Sequence, residues 1–313
     1  MRDAGRERHR GSGIVYRAAS QDDLWQTSRV FRAAANDLSR RHGLRPSIPA
    51  DDARIAIHGH LLRHDAPRFW VAESDAGVVG FGAGIARGEW WFLSSLFVLP
   101  DLQGRGVGRE LLEHAMAGYP LSGGVAATIA DAIQPLSNTL YARHGLLARW
   151  PVIRFTGRLE GVRKPPLPPR GCRLEPVHTA ALADLRHIDE RVTGIDRTPD
   201  HSFLLSPEGG RRGWLVRREG RPTGYVLVDP SGVIGPAASV RAALMTFLME
   251  HALTAVAAGA ADTVSVLVPG ANECAQRVLF GAGLVFEAPC GLLLQSRPFG
   301  RFDRYVFGSY GLM

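Results

Sequence analysis

The sequence has very little lysine, and its positive charge comes almost wholly from arginine. Lys164 is the only lysine among 37 basic residues, and the formal net charge is +7. No basic stripe interleaved with aromatic residues and no nucleic-acid-binding motif accompanies this charge. We therefore expect no nucleic-acid partner.

Cysteine is also scarce, and long apolar runs are missing. Cys172, Cys274 and Cys290 are odd in number and lack metal-ligand spacing, which argues against a disulfide framework and predicts reduced thiols. Charged residues interrupt the apolar stretch from 237 to 261, and residues 1–13 lack the apolar core of a signal peptide. These absences predict a cytoplasmic protein without a membrane span or a metal, with a disordered basic segment at residues 1–13.

The length of the chain favours two domains. At 313 residues it exceeds the usual size of one domain. Strand-like and helix-like patterns alternate over residues 14–160, whereas residues 161–171 are rich in proline, which is typical of a semi-rigid linker. We predict a first α/β domain over 14–160 and a second over 172–313.

The second half of the chain repeats elements of the first half in the same order. LLEHAM, beginning at Leu111, is answered by LMEHAL at Leu248. QPLSNTLYARHGL, beginning at Gln134, is answered by NECAQRVLFGAGL at Asn272. The matched segments occur in the same order and are separated by a nearly constant number of residues, which indicates a duplicated domain.

Three glycines alternate in one short loop. In LFVLPDLQGRGVGRELLEHAM, residues 96–116, a strand-like run gives way to Gly104, Gly106 and Gly108 and then to an amphipathic helix pattern. The first N–H groups of a helix lack intrahelical partners, and a bare backbone lets an anion reach them. Neither the phosphate-loop pattern nor the dinucleotide fingerprint fits this spacing. A plain turn explains one or two of the glycines but not all three, so the loop predicts a phosphate site.

This loop resembles the acyl-CoA pyrophosphate loop of the GNAT superfamily of N-acyltransferases, whose motif is Q/R-x-x-G-x-G/A. Gln103, Gly106 and Gly108 fill the motif positions. A second family element is similar at Gln134 and Tyr141, with glutamine in place of the usual asparagine.

The resemblance covers nearly all of residues 14–160 and, more weakly, residues 172–313. It implies a tandem GNAT protein with two α/β domains, each a bent mixed sheet flanked by helices. It also implies acetyl-CoA as the co-substrate.

The resemblance further implies which residues bind the acyl-CoA. The backbone of Phe97 and Val98 would pair with the pantetheine arm as an added strand would. Gln134 would reach the pantetheine or the adenine side, and the Tyr141 hydroxyl would lie near the thioester sulfur. The pyrophosphate would bind backbone amides of one stretch: Gln103, Gly104, Arg105, Gly106, Val107, Gly108 and Arg109.

Attack of an amine on a thioester needs a proton acceptor for the amine and a proton donor for the departing thiolate. A phenol can donate that proton, so Tyr141 is predicted as the general acid, the alternative being an aromatic packed under a helix. The strand before the loop carries no glutamate where many family members have one. Asp131 and a water relayed by Ser95 are both candidates for the base, and helix capping is the alternative role of Asp131.

The second half of the chain departs from the loop pattern. In the register of the repeat, the loop glycines become Arg241, Ala243 and Met245, and Tyr141 becomes Leu279. Side chains at these positions would crowd out a pyrophosphate. We expect the second domain to be degenerate and to bind no acyl-CoA.

The predicted function is N-acyl transfer, most simply acetyl transfer, from acyl-CoA to the amine of a small molecule. One alternative is an acyl donor carried on a carrier protein or on aminoacyl-tRNA. An alternative of another class is a non-catalytic acyl-CoA-binding or scaffold protein. We expect a monomer or a homodimer.

Overall fold

The chain folds into two compact units of the α/β class, each with a sheet and flanking helices, as the sequence predicts. The first unit contains residues 1–128 and 133–146, and the second contains residues 129–132 and 147–313. The computed structural model describes residues 7–8, 13–45, 54–119, 123–159 and 164–313.

The first unit has a sheet with the strand order β1-β2-β3-β4-β5-β6, in which only β5 and β6 are parallel. Its strands are β1 (Glu7–Arg8), β2 (Val15–Ala18), β3 (Phe69–Ser74), β4 (Gly77–Arg87), β5 (Trp90–Val98) and β6 (Val125–Asp131). Its helices are α1 (Leu24–Arg41), α2 (Arg54–Asp65), α3 (Val107–Met116) and α4 (Pro135–Arg143). Strand β1 lies within the segment predicted to be disordered; the remainder of residues 1–12 falls outside the described residues.

Helix α3 packs closely on β4 because glycines on that strand leave room for it. A Cβ at Gly82 would lie 3.1 Å from the carbonyl oxygen of Leu111, and a Cβ at Gly84 would lie 2.6 Å from Nε1 of Trp91. That Nε1 donates to the Ala115 carbonyl oxygen at 3.1 Å. These contacts fix α3 on the sheet and so set the position of its first turn.

Strands β5 and β6 are paired over only part of their length. Their pairs run from Trp90–Val125 to Leu93–Thr128, where the Thr128 hydroxyl donates to the Leu93 carbonyl oxygen at 3.0 Å. Beyond this point β5 continues to pair with β4 as far as Val98. Ser94 is an extra residue in that ladder, because the register passes from Leu93 directly to Ser95.

The second unit has the strand order β13-β7-β12-β11-β10-β9-β8, and β14 pairs with β11. The strands are β7 (Leu147–Gly157), β8 (Cys172–Pro176), β9 (Arg212–Arg218), β10 (Arg221–Val228), β11 (Val233–Ser239), β12 (Val264–Pro269), β13 (Val285–Gln295) and β14 (Tyr305–Val306). The helices are α5 (Leu182–Val192), α6 (Thr198–Leu204), α7 (Leu244–Ala257) and α8 (Glu273–Gly281). Over the described ranges, no helix is both long and apolar enough to cross a membrane.

The compact units do not divide at the proline-rich segment. Strand β7 precedes that segment, yet it lies between β12 and β13, paired with Val264 at Gly157 and with Val285 at Thr156. The described part of the linker, residues 164–171, has neither helix nor strand. Residues 147–157 therefore belong to the second compact unit. The division of the sequence into two repeated domains, ending at 160 and beginning at 172, stays a prediction. Residue patterning shows that β7 is a strand but does not show which strand it pairs with.

Candidate active site

The alternating glycines form the turn that leads into α3. Gly104 has φ of 76°, and Gly106, the residue that caps α3, has φ of 91°. Both positions need glycine for their backbone conformation. Gly108 differs, because its φ lies outside the left-handed region and the nearest atom to a Cβ there is Cγ2 of Val98, at 3.8 Å. Neither strain nor packing therefore accounts for Gly108.

The same loop presents a run of backbone donors. The Gln103 amide donates to the Pro100 carbonyl oxygen at 3.2 Å, and the Arg109 amide donates to the Gly106 carbonyl oxygen at 3.0 Å. Between them, the amides of residues 104–108 make no hydrogen bond within the described part of the chain. Of the amides predicted to bind a pyrophosphate, those of residues 104–108 are therefore available to an anion, at the positive end of α3.

The Gln103 side chain ties the loop to the end of β5. Its Nε2 donates to the Val98 carbonyl oxygen at 2.9 Å, and its Oε1 accepts from Nη2 of Arg41 at 3.1 Å. Arg41 in turn pairs with Asp37 at 2.7 Å, one turn earlier on α1. No sequence pattern singles out Arg41, because it lies 62 residues from Gln103.

Replacing Gln103 by leucine is expected to weaken acetyl-CoA binding about 10-fold, because the loop loses a hydrogen bond at each end of the amide. Isothermal titration calorimetry measures the change. Gln21→Leu, at an exposed position, is the matched control and should bind as the wild type does. An unchanged dissociation constant for Gln103→Leu would show that these two hydrogen bonds do not determine how the loop binds acetyl-CoA.

The end of β5 carries both predicted binding residues and the predicted relay. Phe97 packs edge-on against Phe31, with ring centroids 4.8 Å apart, and Val98 is buried beside Gly108. Ser95 is buried as well. The bulge residue Ser94 has a buried hydroxyl with no hydrogen-bond partner among the described residues. The sequence predicted Ser95 as the relay and gave no reason to choose Ser94, because the residue pattern does not reveal the bulge.

Tyr141 lies on helix α4 of the same unit, and Gln134 lies at the N-terminal end of that helix. Gln134 is the residue before the helix, and Tyr141 is buried at 5% exposure. His144, just after α4, has its Nε2 4.0 Å from Oε1 of Glu113 on α3. The burial of Tyr141 fits both the acid role and the packing alternative.

Asp131, the last residue of β6, is itself part of the second compact unit, which contains residues 129–132. Burial and the negative charge of Asp131 together raise the pKa of Tyr310. The guanidinium of Arg154 lies 5.5 Å from the centre of the Tyr310 ring. Helix capping by Asp131 is wrong, because α4 begins at Pro135 after Gln134 and has no side-chain cap.

In the second unit, the chain itself fills the gap between diverging strands. Strands β11 and β12 pair only at Val233 and Ile234. Beyond these, β14 pairs with β11 at Ala237 and Ala238, and the Phe307 amide donates to the Leu267 carbonyl oxygen at 3.0 Å. An internal strand therefore lies where the first unit carries the predicted pantetheine-pairing residues.

Side chains hold this internal strand in place. Asn272 Nδ2 donates to the Tyr305 carbonyl oxygen at 3.0 Å, and Arg304 Nη1 donates to the Val240 carbonyl oxygen at 2.9 Å. Arg197, fully buried beside Asp189, donates to the Tyr305 hydroxyl. The amides that open α7 are also engaged, since Leu244 and Met245 donate to the carbonyl oxygens of residues 241 and 242.

Comparison with known proteins agrees with this picture. Residues 65–145 match the family model described as acetyltransferase (GNAT) domain. No curated protein matches the chain.

Among solved structures, a Pyrococcus horikoshii protein provisionally assigned as an acetyltransferase is 17% identical, with 98% of this chain and 99% of that one covered and a TM-score of 0.73. A GCN5-related N-acetyltransferase from Sphaerobacter thermophilus is 16% identical, with 92% and 97% covered and a TM-score of 0.63. A tandem GNAT protein from the clavulanic acid biosynthesis pathway is 16% identical, with 91% and 99% covered and a TM-score of 0.53. At these identities the likeness shows the fold. Residues 65–145 therefore match a GNAT acetyltransferase domain, and the chain shares its fold with tandem GNAT proteins.

Proposed function

We propose that this protein transfers an acyl group, most simply acetyl, from acyl-CoA to the amine of a small molecule, using its first unit. The observation that carries the proposal is the run of amides at residues 104–108 that have no acceptor among the described residues, together with a glycine at 108 that the fold itself does not require. Backbone donors at a helix N-terminus, free of side chains, suit a pyrophosphate.

The second unit supports a role for the strand end and for Gln134. There, β14 pairs with β11 beyond the point where β11 and β12 separate, and Asn272 donates to its backbone. Asn272 matches Gln134 in the repeat. We assign the pantetheine arm to the corresponding edge of β5 at Phe97 and Val98, with the Gln134 amide as its donor.

The chemistry needs few groups. The amine nitrogen gives up a proton and bonds to the acyl carbon while the carbon–sulfur bond breaks and the sulfur takes a proton. Tyr141 supplies that proton. For the amine proton, the unpaired hydroxyl of Ser94 now joins Ser95 as a relay through water, and Asp131 is the carboxylate alternative.

The same geometry argues for one acyl-CoA site per chain. In the second unit the strand gap is filled by β14, and the amides at the start of α7 already have acceptors. The loop also favours free CoA as the donor over a carrier-bound acyl group, because only CoA brings a pyrophosphate to those amides.

The test is thiol release from acetyl-CoA with a panel of small primary amines. We expect amine-dependent release, and at least about 100-fold lower kcat/KM with acetyl-phosphopantetheine, which lacks the pyrophosphate contacts. Release without any amine serves as the hydrolysis control. Tight acetyl-CoA binding without amine-dependent release would favour the scaffold alternative, and equal use of both donors would favour a carrier-bound donor.

A further inference from the structure

A depression of about 480 Å³ lies at one end of the β7–β13 ladder in the second unit. It has no part in the proposed acyl transfer. Its volume is within the range of small-molecule sites. It is lined by Arg149, Trp150, Gln295, Pro298, Phe299 and Gly300.

A β-bulge directs two neighbouring side chains into this depression. Ala148 pairs with Leu294 and Trp150 pairs with Leu293, so Arg149 is an extra residue in the ladder. Consecutive residues of a regular strand point to opposite faces. The bulge removes that alternation locally, and both Arg149 and Trp150 line the depression.

Gln295 supplies a buried polar group in the wall. Its side chain is 1% exposed, and its Nε2 has no hydrogen-bond partner within the described residues. A buried donor without an acceptor is costly, and an acceptor bound in the depression would relieve that cost. Arg149 is exposed and makes no ion pair within the same residues, which leaves its guanidinium available to an anion.

The wall also contains two aromatic side chains, Trp150 and Phe299. Trp150 is 42% exposed, which is high for so large an apolar side chain. The Phe299 ring packs edge-on against Phe302 at 5.3 Å, and Phe302 in turn stacks with Phe307 at 5.6 Å. A flat ring can rest on such a surface without rearranging it.

We propose that this depression binds a small aromatic carboxylate. The guanidinium of Arg149 and the amide of Gln295 would donate to the carboxylate oxygens, and the ring would pack against Trp150 and Phe299. A guanidinium and an amide donor together suit a planar oxyanion, and the charge-assisted bonds favour a carboxylate over a neutral acceptor.

The test uses 3-(4-fluorophenyl)propanoate as the probe and fluorine NMR of the full chain as the readout. We expect a dissociation constant of about 1 mM or lower for a ligand of this size. Arg149→Gln and Trp150→Leu should each weaken binding about 10-fold or more. Arg277→Gln and Trp25→Leu, at exposed positions elsewhere, are the matched controls and should leave the affinity unchanged.

Three results would overturn the proposal. One is no binding of the probe at low-millimolar concentration. Another is equal affinity in Arg149→Gln and in the wild type. The third is equal affinity for the uncharged 3-(4-fluorophenyl)propanol. Thermal unfolding of each variant checks its fold, and none of these outcomes depends on acyl transfer.

Discussion

Gly108→Met is expected to weaken acetyl-CoA binding about 10- to 100-fold with little change in the stability of the protein. Position 108 is the G/A position of the motif, so a larger side chain than alanine is needed, and methionine is the residue at the matching position of the second unit, Met245. A Cβ at position 108 meets only ordinary van der Waals contact, and its backbone conformation suits any residue. Methionine favours the helix over glycine by up to about 1 kcal/mol. Its side chain would stand between the loop amides and the pyrophosphate, removing charge-assisted hydrogen bonds of about 1.5–3 kcal/mol.

Gly281→Met is the matched control for this experiment. Gly281 ends helix α8, and a Cβ there would meet no atom within 4 Å. The control should keep the acetyl-CoA affinity of the wild type. If Gly108→Met also binds acetyl-CoA as the wild type does, the missing side chain has no role in the site.

Tyr141→Phe is expected to lower kcat about 100-fold or more, while the dissociation constant for acetyl-CoA changes less than about 2-fold. The change keeps the aromatic ring and removes the hydroxyl whose proton would pass to the thiolate, and general acid catalysis contributes about 10²- to 10⁴-fold. Steady-state kinetics together with calorimetry separate the effect on turnover from the effect on binding.

Tyr119→Phe controls for the loss of a buried hydroxyl. The Tyr119 hydroxyl donates to the Glu89 carbonyl oxygen, so this variant changes stability and should keep kcat. A Tyr141→Phe enzyme with full turnover would leave Tyr141 as a packing residue.

The features that the sequence predicts well are local ones. The glycine loop, the helix after it and the α/β alternation all follow from periodicity and from residue types that permit a tight turn. The positive φ at Gly104 and Gly106 fits the turn requirement considered for this loop. The loop also forms one continuous surface, because its members are neighbours in sequence.

The features that the sequence did not predict depend on contacts between distant segments. Strand β7 pairs with β12 and β13, and β14 lies between β11 and β12. The residue pattern indicates neither pairing, because the choice of partner strand depends on tertiary packing.

The bulges at Ser94 and Arg149 were not predicted from the sequence either, and they affect the direction of single side chains. Each inserts one residue into a ladder and re-aims a side chain that simple alternation would place elsewhere. The contact of Arg41 with Gln103 is a long-range contact of the same kind. Asp131 was chosen for its place at the end of a strand, yet its electrostatic effect on the pKa of Tyr310 was not predictable from that place.

A crystal structure of the full chain with acetyl-CoA would show whether the glycine loop is the acyl-CoA site. We expect one acetyl-CoA per chain, with pyrophosphate oxygens in hydrogen-bonding distance of the amides of residues 104–108 and with β14 still paired to β11. Acetyl-CoA lodged between β11 and β12, or a glycine loop without the pyrophosphate, would contradict this expectation.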